Sequence, residues 1–522
     1  MEQNESSFVR NAAILTVAGF ATRILGFIYR IILSNIIGAQ GMGLFQLALP
    51  VYFIAASFLA SGIPIGVSRM ISEQKAKGNY KMLPKIVLVS SIIAVTAGIA
   101  ISAVLFIYAE PIAVNILHSP GVYYPMMVYI PALFITANSG VIRGFFQGIQ
   151  NIVPQAIGQI VEQLVRMALV LSLIRYAIGI SIEYASSISV LGMVIGDVAG
   201  FITLMHFYGK TLHRYKKNHQ FTNNTGANES SFHIGKSIIS IALPISVGRT
   251  LTTLLQSMDS VLIPQRLQVA GYTVEKSLET FGHLTGMAMP LLMFPSTITM
   301  SLSMTLLPAI TEAQSLGKKA MINYRASESI KLAMIVSFAA ASAFMFMPYQ
   351  IGHALYNSQE VGQFLLYTSP LCLFIYVEGI LASILNGLGK QNITVANSVL
   401  CSLLRIACTY ILVAIPSIKI NGYIMGFIGT VILNTALNYQ ALRRFTSMPF
   451  DISNWLVKPS VSFVVMGICS SFIYRAMDNL GTPALVSLGI ALLIGLGIYL
   501  LLNIRMGVLS IEEIKRFTHL KQ

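Results

Sequence analysis

Apolar stretches of about 20 residues, separated by short polar intervals, recur along the chain from Ile14 to Leu502. A run of that length, coiled as an α-helix rising about 1.5 Å per residue, crosses the roughly 30 Å hydrocarbon core of a bilayer. Fourteen such segments are predicted, near residues 12–37, 42–68, 86–109, 122–142, 153–175, 184–208, 236–263, 282–309, 330–350, 362–387, 393–415, 422–443, 459–476 and 483–503. Gly38, Gly41 and Gly43 cluster between the first two, so these read either as two spans or as one broken pair. The pattern predicts an all-α polytopic membrane protein with about fourteen transmembrane helices.

Composition narrows what such a protein does. Hydrophobic residues make up 55% of the 522 and charged residues 10%, against roughly 25% charged in soluble domains. The longest polar interval, Lys210 to His233, is 24 residues rich in Asn, Lys and His, too short for an appended enzyme domain, and no catalytic residue is expected. A net charge of +15 would point to nucleic acid in a soluble protein, but in a membrane protein it reports topology, because cytoplasmic loops collect Lys and Arg. With both termini inside, 24 of the 34 basic residues, Arg143 among them, fall in cytoplasmic segments. Only 5 lie outside: Arg175, Arg266, Lys276, Lys419 and Arg475. Both ends are therefore expected in the cytoplasm, the chain in the cytoplasmic membrane, and no nucleic acid among its partners. Cys372, Cys401, Cys408 and Cys469 sit in apolar runs without metal-type spacing and read as small packing residues. The first apolar run is too long, and too interrupted by Arg23 and Arg30, for a cleaved signal peptide.

Comparing positions 239 apart exposes an internal repeat. Gly140 pairs with Gly379, Gly148 with Gly387, Leu164 with Leu403, Arg166 with Arg405 and Ala168 with Ala407, while Ser72-Glu73 and Gly78 pair with Thr311-Glu312 and Gly317. Each half holds six spans, an even number, so both enter the membrane from the same side and the repeat is parallel. The expected organisation is an N-lobe at 1–217, a cytoplasmic linker at 218–233, a C-lobe at 234–446, and two further helices with a cytoplasmic tail at 447–522. Pseudo-symmetric halves of this kind rock about a midplane site, which favours a transporter.

Five arginines, Arg23, Arg30, Arg166, Arg249 and Arg405, remain inside predicted spans, with four acids, Glu162, Asp197, Asp259 and Glu378. Ionisable groups in hydrocarbon are functional candidates because they need a wet cavity or a partner, and this balance leaves the centre slightly positive, which suits an anionic substrate. In the first span Thr16, Gly19, Arg23, Gly26 and Arg30 recur at steps of three and four and share one face. Two guanidiniums about two turns apart suit a diphosphate, which Arg binds bidentately; the alternative is that both snorkel or pair with other helices. Glu162 and Arg166, four apart, make a self-neutralising pair, yet Arg405 repeats the arginine while Cys401 replaces the acid, so an arginine is present in both halves. In the seventh span Ser246, Arg249, Thr253, Gln256 and Ser260 trace a polar stripe, with Asp259 beside it as a counter-ion or coupling-ion ligand. Asp197, between Gly196 and Gly200, reads more readily as a helix-packing hydrogen bond. Pro50 and Pro64 in the second span and Pro290 and Pro295 in the eighth are hinge candidates, the alternative being static kinks.

No Walker-type loop, His-Glu-x-x-His, Gly-x-Ser-x-Gly or Cys-x-x-Cys occurs, so no cofactor and no metal is expected, and energy would come from the membrane potential, an H+ or Na+ gradient, or the substrate.

Three segments carry a resemblance: Ala21-Thr-Arg-Ile-Leu-Gly-Phe27; Arg143-Gly-Phe-Phe-Gln-Gly-Ile-Gln-Asn151 with Pro154 and Glu162-Gln-Leu-Val-Arg166; and Phe294-Pro-Ser-Thr-Ile-Thr-Met-Ser-Leu-Ser through Glu312. They are similar to the polysaccharide-transporter branch of the multidrug/oligosaccharidyl-lipid/polysaccharide (MOP) exporter superfamily, on its sporulation side, over most of the chain. The resemblance implies two lobes, alternating access and a place in peptidoglycan synthesis for spore cortex or cell wall, in the membrane around the forespore if the source forms spores. Related lipid II flippases use arginines in their first, second and eighth helices; here Arg23 matches, Arg30 is displaced by one residue, the second span has none and the eighth offers His283. The expected function is a flippase for an undecaprenyl-pyrophosphate-linked saccharide such as lipid II, its partners being that substrate, membrane lipids and cell-wall synthesis enzymes. The alternatives are a cation-coupled multidrug exporter of the same superfamily, which would have acid-dominated cavities, and a noncatalytic scaffold for cell-wall synthesis.

Overall fold

The computed structural model describes residues 2–217, 230–446, 448 and 451–510, with side chains from Ala18 onward. The linker residues 218–229 and the tail 511–522 lie outside the described residues. Every element among the described residues is helical, as chains in lipid require when each backbone polar group must be satisfied within its own segment. The chain divides into two compact units, one of Met1–Gln268 with Tyr272–Gly282 and one of Val269–Gly271 with His283–Gln522.

In the first unit run α1 (Glu2–Ala60), α2 (Ile63–Ala76), α3 (Met82–Pro111), α4 (Tyr123–Tyr129), α5 (Leu133–Gly148), α6 (Val153–Ile178), α7 (Ile182–Lys217), α8 (Ser231–Val269) and α9 (Val274–Phe281). The first two predicted spans are one continuous helix, broken at Gly38 with φ 70° and ψ −179°, a conformation open to a residue without Cβ. The apolar stretch Ala18–Ala76 is 59 residues long, about 88 Å if straight, enough for two crossings. Pro64 does not bend a span from within: it lies in the first turn of α2, where the missing N–H costs nothing and the fixed φ starts a helix. Glycines set the close approaches. A Cβ on Gly62 would stand 2.0 Å from the Ala242 carbonyl oxygen, and the Gly62 N–H donates to Ser246 Oγ at 3.2 Å. These contacts hold α8 against the first unit, although by the repeat it opens the second half.

The second unit holds α10 (Met289–Met293), α11 (Ser296–Ser315), α12 (Lys319–Phe346), α13 (Pro348–Tyr356), α14 (Gln359–Thr368), α15 (Cys372–Gly387), α16 (Gln391–Leu412), α17 (Ile420–Phe445), α18 (Lys458–Asn479) and α19 (Ala484–Arg505). Its core packs Ile310, Ile322, Ile330, Ile384, Leu385 and Leu442 around the buried Trp455. Tyr499 of α19 donates its hydroxyl to the Ile335 carbonyl at 2.8 Å, and Ser342 donates to the Phe463 carbonyl at 2.8 Å, so α12 is the post against which both C-terminal helices stand.

Twelve helical stretches among the described residues are long and apolar enough to cross a membrane, and the bent pair Val274–Met293 and Ser296–Ser315, 54° apart, makes a thirteenth. Ala18–Ala76, at 59 residues, is long enough for two crossings, so the number of spans is close to the fourteen predicted. Lys276, expected outside the membrane, lies on α9, which is the first part of the bent span beginning at Val274.

The repeat is visible in atomic detail. Ser72 Oγ donates to the Gly148 carbonyl at 2.9 Å, and Thr311 Oγ1 donates to the Gly387 carbonyl at 3.3 Å. A Cβ on Gly148 would meet Ile71 Cβ at 2.7 Å and the Ser68 carbonyl at 2.8 Å; on Gly387 it would meet Ile310 Cβ at 2.9 Å and the Leu307 carbonyl at 3.0 Å. All of these pairs are 239 residues apart. The α2–α5 crossing of one unit is thus the α11–α15 crossing of the other.

Candidate substrate site

A cavity of about 600 Å³ opens in the first unit, lined by Arg30 on the first limb of α1, by Gln46, Leu49, Pro50, Phe53, Ala56 and Ser57 on its second limb, and by Thr253, Gln256, Ser257 and Ser260 on α8. The Gly38 break is what lets one helix supply two walls. Arg30 donates to Gln46 Oε1 at 3.4 Å, aligning the guanidinium across the break. Pro50, four residues on, has no N–H to offer the Gln46 carbonyl. The lining carries one cation, several amides and hydroxyls, and no carboxylate. An anion is the ligand such a lining favours, and the volume falls within the roughly 300–1,000 Å³ of small-molecule sites.

Deeper in the same unit lies a charge network. Glu162 and Arg166 of α6 pair at 2.8 Å, Arg143 of α5 reaches Glu162 at 3.6 Å, and Asp197 of α7 lies 3.8 Å from Arg166. Tyr52 of α1 donates to Asp197 Oδ2 at 2.9 Å and Thr136 of α5 donates to it at 3.3 Å. Small residues make this possible: a Cβ on Gly196 would stand 2.8 Å from the Glu162 carbonyl, so α7 lies close enough for Asp197 to reach the arginine. Two cations and two carboxylates balance. Tyr29 is buried on α1, one residue before Arg30.

The structure thus brings Arg30 and Pro50 to the cavity and joins Glu162 with Arg166 beside it. Arg23 is exposed on α1, and Arg249 is exposed on α8 one turn before the lining residue Thr253; the Arg249 carbonyl accepts the Thr252 and Thr253 hydroxyls at 2.7 and 3.0 Å. Asp259 is buried on α8 and does not line the cavity. Arg405 belongs to the second unit, where its guanidinium stands 5.4 Å from the centre of the Phe427 ring and in the field of Glu378. Glu378 accepts the Asn434 amide at 2.5 Å. Pro290 begins α10, and Pro295 stands at the 54° bend before α11. All four cysteines are free, and no group of three metal-ligating side chains occurs among the described residues.

Several members of these sites escaped the sequence pattern. Arg143 was expected in a cytoplasmic segment, but α5 extends to Gly148 and places it within a helix. Its position at the head of the Arg-Gly-Phe-Phe-Gln-Gly motif was the available signal. Gln46, Tyr52 and Thr136 are neutral polar residues in apolar runs, and no charge singles them out. Asp197 does make the packing hydrogen bonds expected of it, but with Arg166 it is also part of the ion network.

The fold is that of a multi-pass, all-helical membrane protein, and solved transporters of the MOP superfamily share it. The polysaccharide biosynthesis protein family matches residues 8–314, and the MatE family matches residues 284–411. The chain belongs to the polysaccharide biosynthesis protein family. It is 28% identical to stage V sporulation protein B of Bacillus subtilis (strain 168) over 475 residues, covering 91% of this chain and 90% of that one. It is 25% identical to the lipid II flippase MurJ of the same organism over 482 residues, covering 88% and 86%. Among solved structures it shares the fold of a lipid II flippase MurJ in an inward closed conformation, with TM-score 0.66, 13% identity and coverage of 94% and 98%. An inward-facing multidrug resistance MATE transporter of the MOP superfamily superimposes with TM-score 0.62 at 15% identity, covering 81% and 94%.

Proposed function

We propose that the protein is a flippase that carries an undecaprenyl-pyrophosphate-linked saccharide, a peptidoglycan precursor of the lipid II type, across the cytoplasmic membrane by alternating access. The observation that carries this reading is the acid-free lining around Arg30. A guanidinium in a cavity walled by amides and hydroxyls binds a diphosphate by charge-assisted, bidentate hydrogen bonds, and the amides and hydroxyls suit a sugar. Arg23 and Arg249, exposed on the helices that build the cavity, supply further positive charge along the path. Arg166 and Arg405 act as positioning residues, since Arg166 is held by carboxylates and Arg405 faces an aromatic ring. The relatives that include a lipid II flippase and a sporulation protein support a substrate from cell-wall synthesis. Net flux draws on the membrane potential or an H+ or Na+ gradient, with both termini cytoplasmic, as the 24 to 5 distribution of basic residues predicts.

Binding in lipid nanodiscs tests the reading. Wild-type protein is expected to bind lipid II at least tenfold more tightly than undecaprenyl phosphate or a lipophilic cationic drug, and Arg30→Ala to lose that preference. Tighter binding of the cationic drug would replace this reading with drug export.

A further inference from the structure

A second cavity, of about 440 Å³, adjoins the first and differs from it in chemistry. It is walled by apolar side chains of α1, α3, the helical turn Ile112–Ile116 that follows α3, and α8, among them Ile54, Phe58, Leu105, Ile116 and Leu254, and its polar side chains are only the hydroxyls of Thr250 and Ser257. Pro50 and Ser257 line both cavities. Between them Ser57, of the polar cavity, donates to Thr250, of the apolar one, at 3.2 Å. That hydrogen bond uses one lone pair of the Thr250 hydroxyl, and with two hydroxyls among its fifteen lining residues the second cavity presents mostly hydrocarbon to an occupant. A polar chamber and an apolar chamber with a shared wall match one kind of molecule, an amphiphile whose anionic head and apolar chain enter together.

We infer that the apolar cavity holds the proximal isoprenoid chain of the same molecule whose diphosphate sits at Arg30. This rests on the proposed function and adds to it where the chain runs while the head is bound. The consequence is selectivity by chain as well as by head. Because the chain's alternative environment is lipid, what the chamber offers is close van der Waals packing rather than removal from water, and filling it should cost a chain-bearing ligand more than a bare anion.

The test compares inorganic pyrophosphate with farnesyl diphosphate on purified full-length protein in nanodiscs. The variants are Ile54→Trp, which fills the chamber from α1, and Leu254→Trp, which fills it from the partly exposed face of α8. Neither residue lines the polar cavity. The expected result is that both variants bind pyrophosphate as wild type does and lose tenfold or more in farnesyl diphosphate affinity. Unchanged farnesyl diphosphate affinity in both variants, with thermal stability retained, would overturn the inference and leave the proposed function standing, an ordinary lipid chain or nothing then occupying the chamber. Should one variant fail to fold, the other decides. Failure of wild type to bind either ligand would overturn the proposed function and the inference with it.

Discussion

Arg166 and Arg405 occupy equivalent places in the two repeats and live in different surroundings. In the first unit Arg166 is embedded between Glu162 and Asp197, with Arg143, Tyr52 and Thr136 closing the network. In the second, position 401 is cysteine, and Arg405 stands over Phe427 with Glu378 as its acidic neighbour, an acid from a different helix. Yet the helix crossing nearby is the same in both, down to the hydroxyl that donates to a glycine carbonyl. Backbone geometry is repeated while charge is not. The packed glycines fix where helices cross, and the polar side chains hung on those crossings are free to differ: the first unit builds an arginine-bearing cavity beside a balanced ion network, while Arg405 of the second meets an aromatic ring.

The sharpest way to break the comparison is at the crossing itself. Gly148→Leu should be destabilising by about 3 kcal/mol or more, because the new side chain meets Ile71 and the Ser68 carbonyl and the packed helices cannot move apart without opening voids. Gly387→Leu should do nearly as much in the second unit, slightly less because its contacts are looser. Thermal unfolding followed by monodisperse recovery measures both.

Removing the two arginines should give unequal results. Arg166→Ala takes the cation from Asp197 and leaves Glu162 with Arg143, 3.6 Å away; breaking a buried pair costs about 3–5 kcal/mol. With these side chains 19% and 16% exposed, about 2–3 kcal/mol is expected. Arg405→Ala removes a cation–π contact worth about 1 kcal/mol. A fall in Tm that is larger for Arg166→Ala bears this out, and equal falls would show that the asymmetry of surroundings carries no energy.

Arg30→Ala separates function from stability. It should weaken lipid II binding at least tenfold while the protein is still recovered folded and monodisperse, because Arg30 lines the cavity. The smallest effect is expected at the repeated hydrogen bond: Ser72→Ala and Thr311→Ala should each cost about 0.5–1.5 kcal/mol. The first should cost at least as much as the second, because 2.9 Å is the better distance.

Much of this was legible in the chain and some was not, for definable reasons. The all-helical, multi-span architecture came through, with twelve or thirteen candidate spans among the described residues against about fourteen predicted, because hydrophobic length is a direct consequence of bilayer thickness, and the repeat because glycines at crossings tolerate no Cβ. The Gly38 break was flagged as ambiguous, since apolar length alone does not say whether a glycine turns or kinks a helix. Pro64 was read as a bend because a span edge cannot be placed to within a turn, and in the structure it starts α2. Arg30 was singled out by its stripe, but its partner Gln46 lies 16 residues on, beyond any helical period. Arg143 fell one residue past the predicted end of its span. The sequence places Asp197 in packing, because its contacts to Tyr52 and Arg166 are long-range and no local spacing announces them.

The central claim, that the first unit's cavity passes a diphosphate-linked lipid held at Arg30, is tested most directly by transbilayer movement in proteoliposomes. Lipid II with a fluorescent headgroup, placed in one leaflet, is followed by quenching from the other side for wild type and for Arg30→Ala at matched protein density. The account predicts that wild type accelerates movement over empty vesicles and that Arg30→Ala slows it at least tenfold. Equal rates for the two proteins, with both folded, would contradict it.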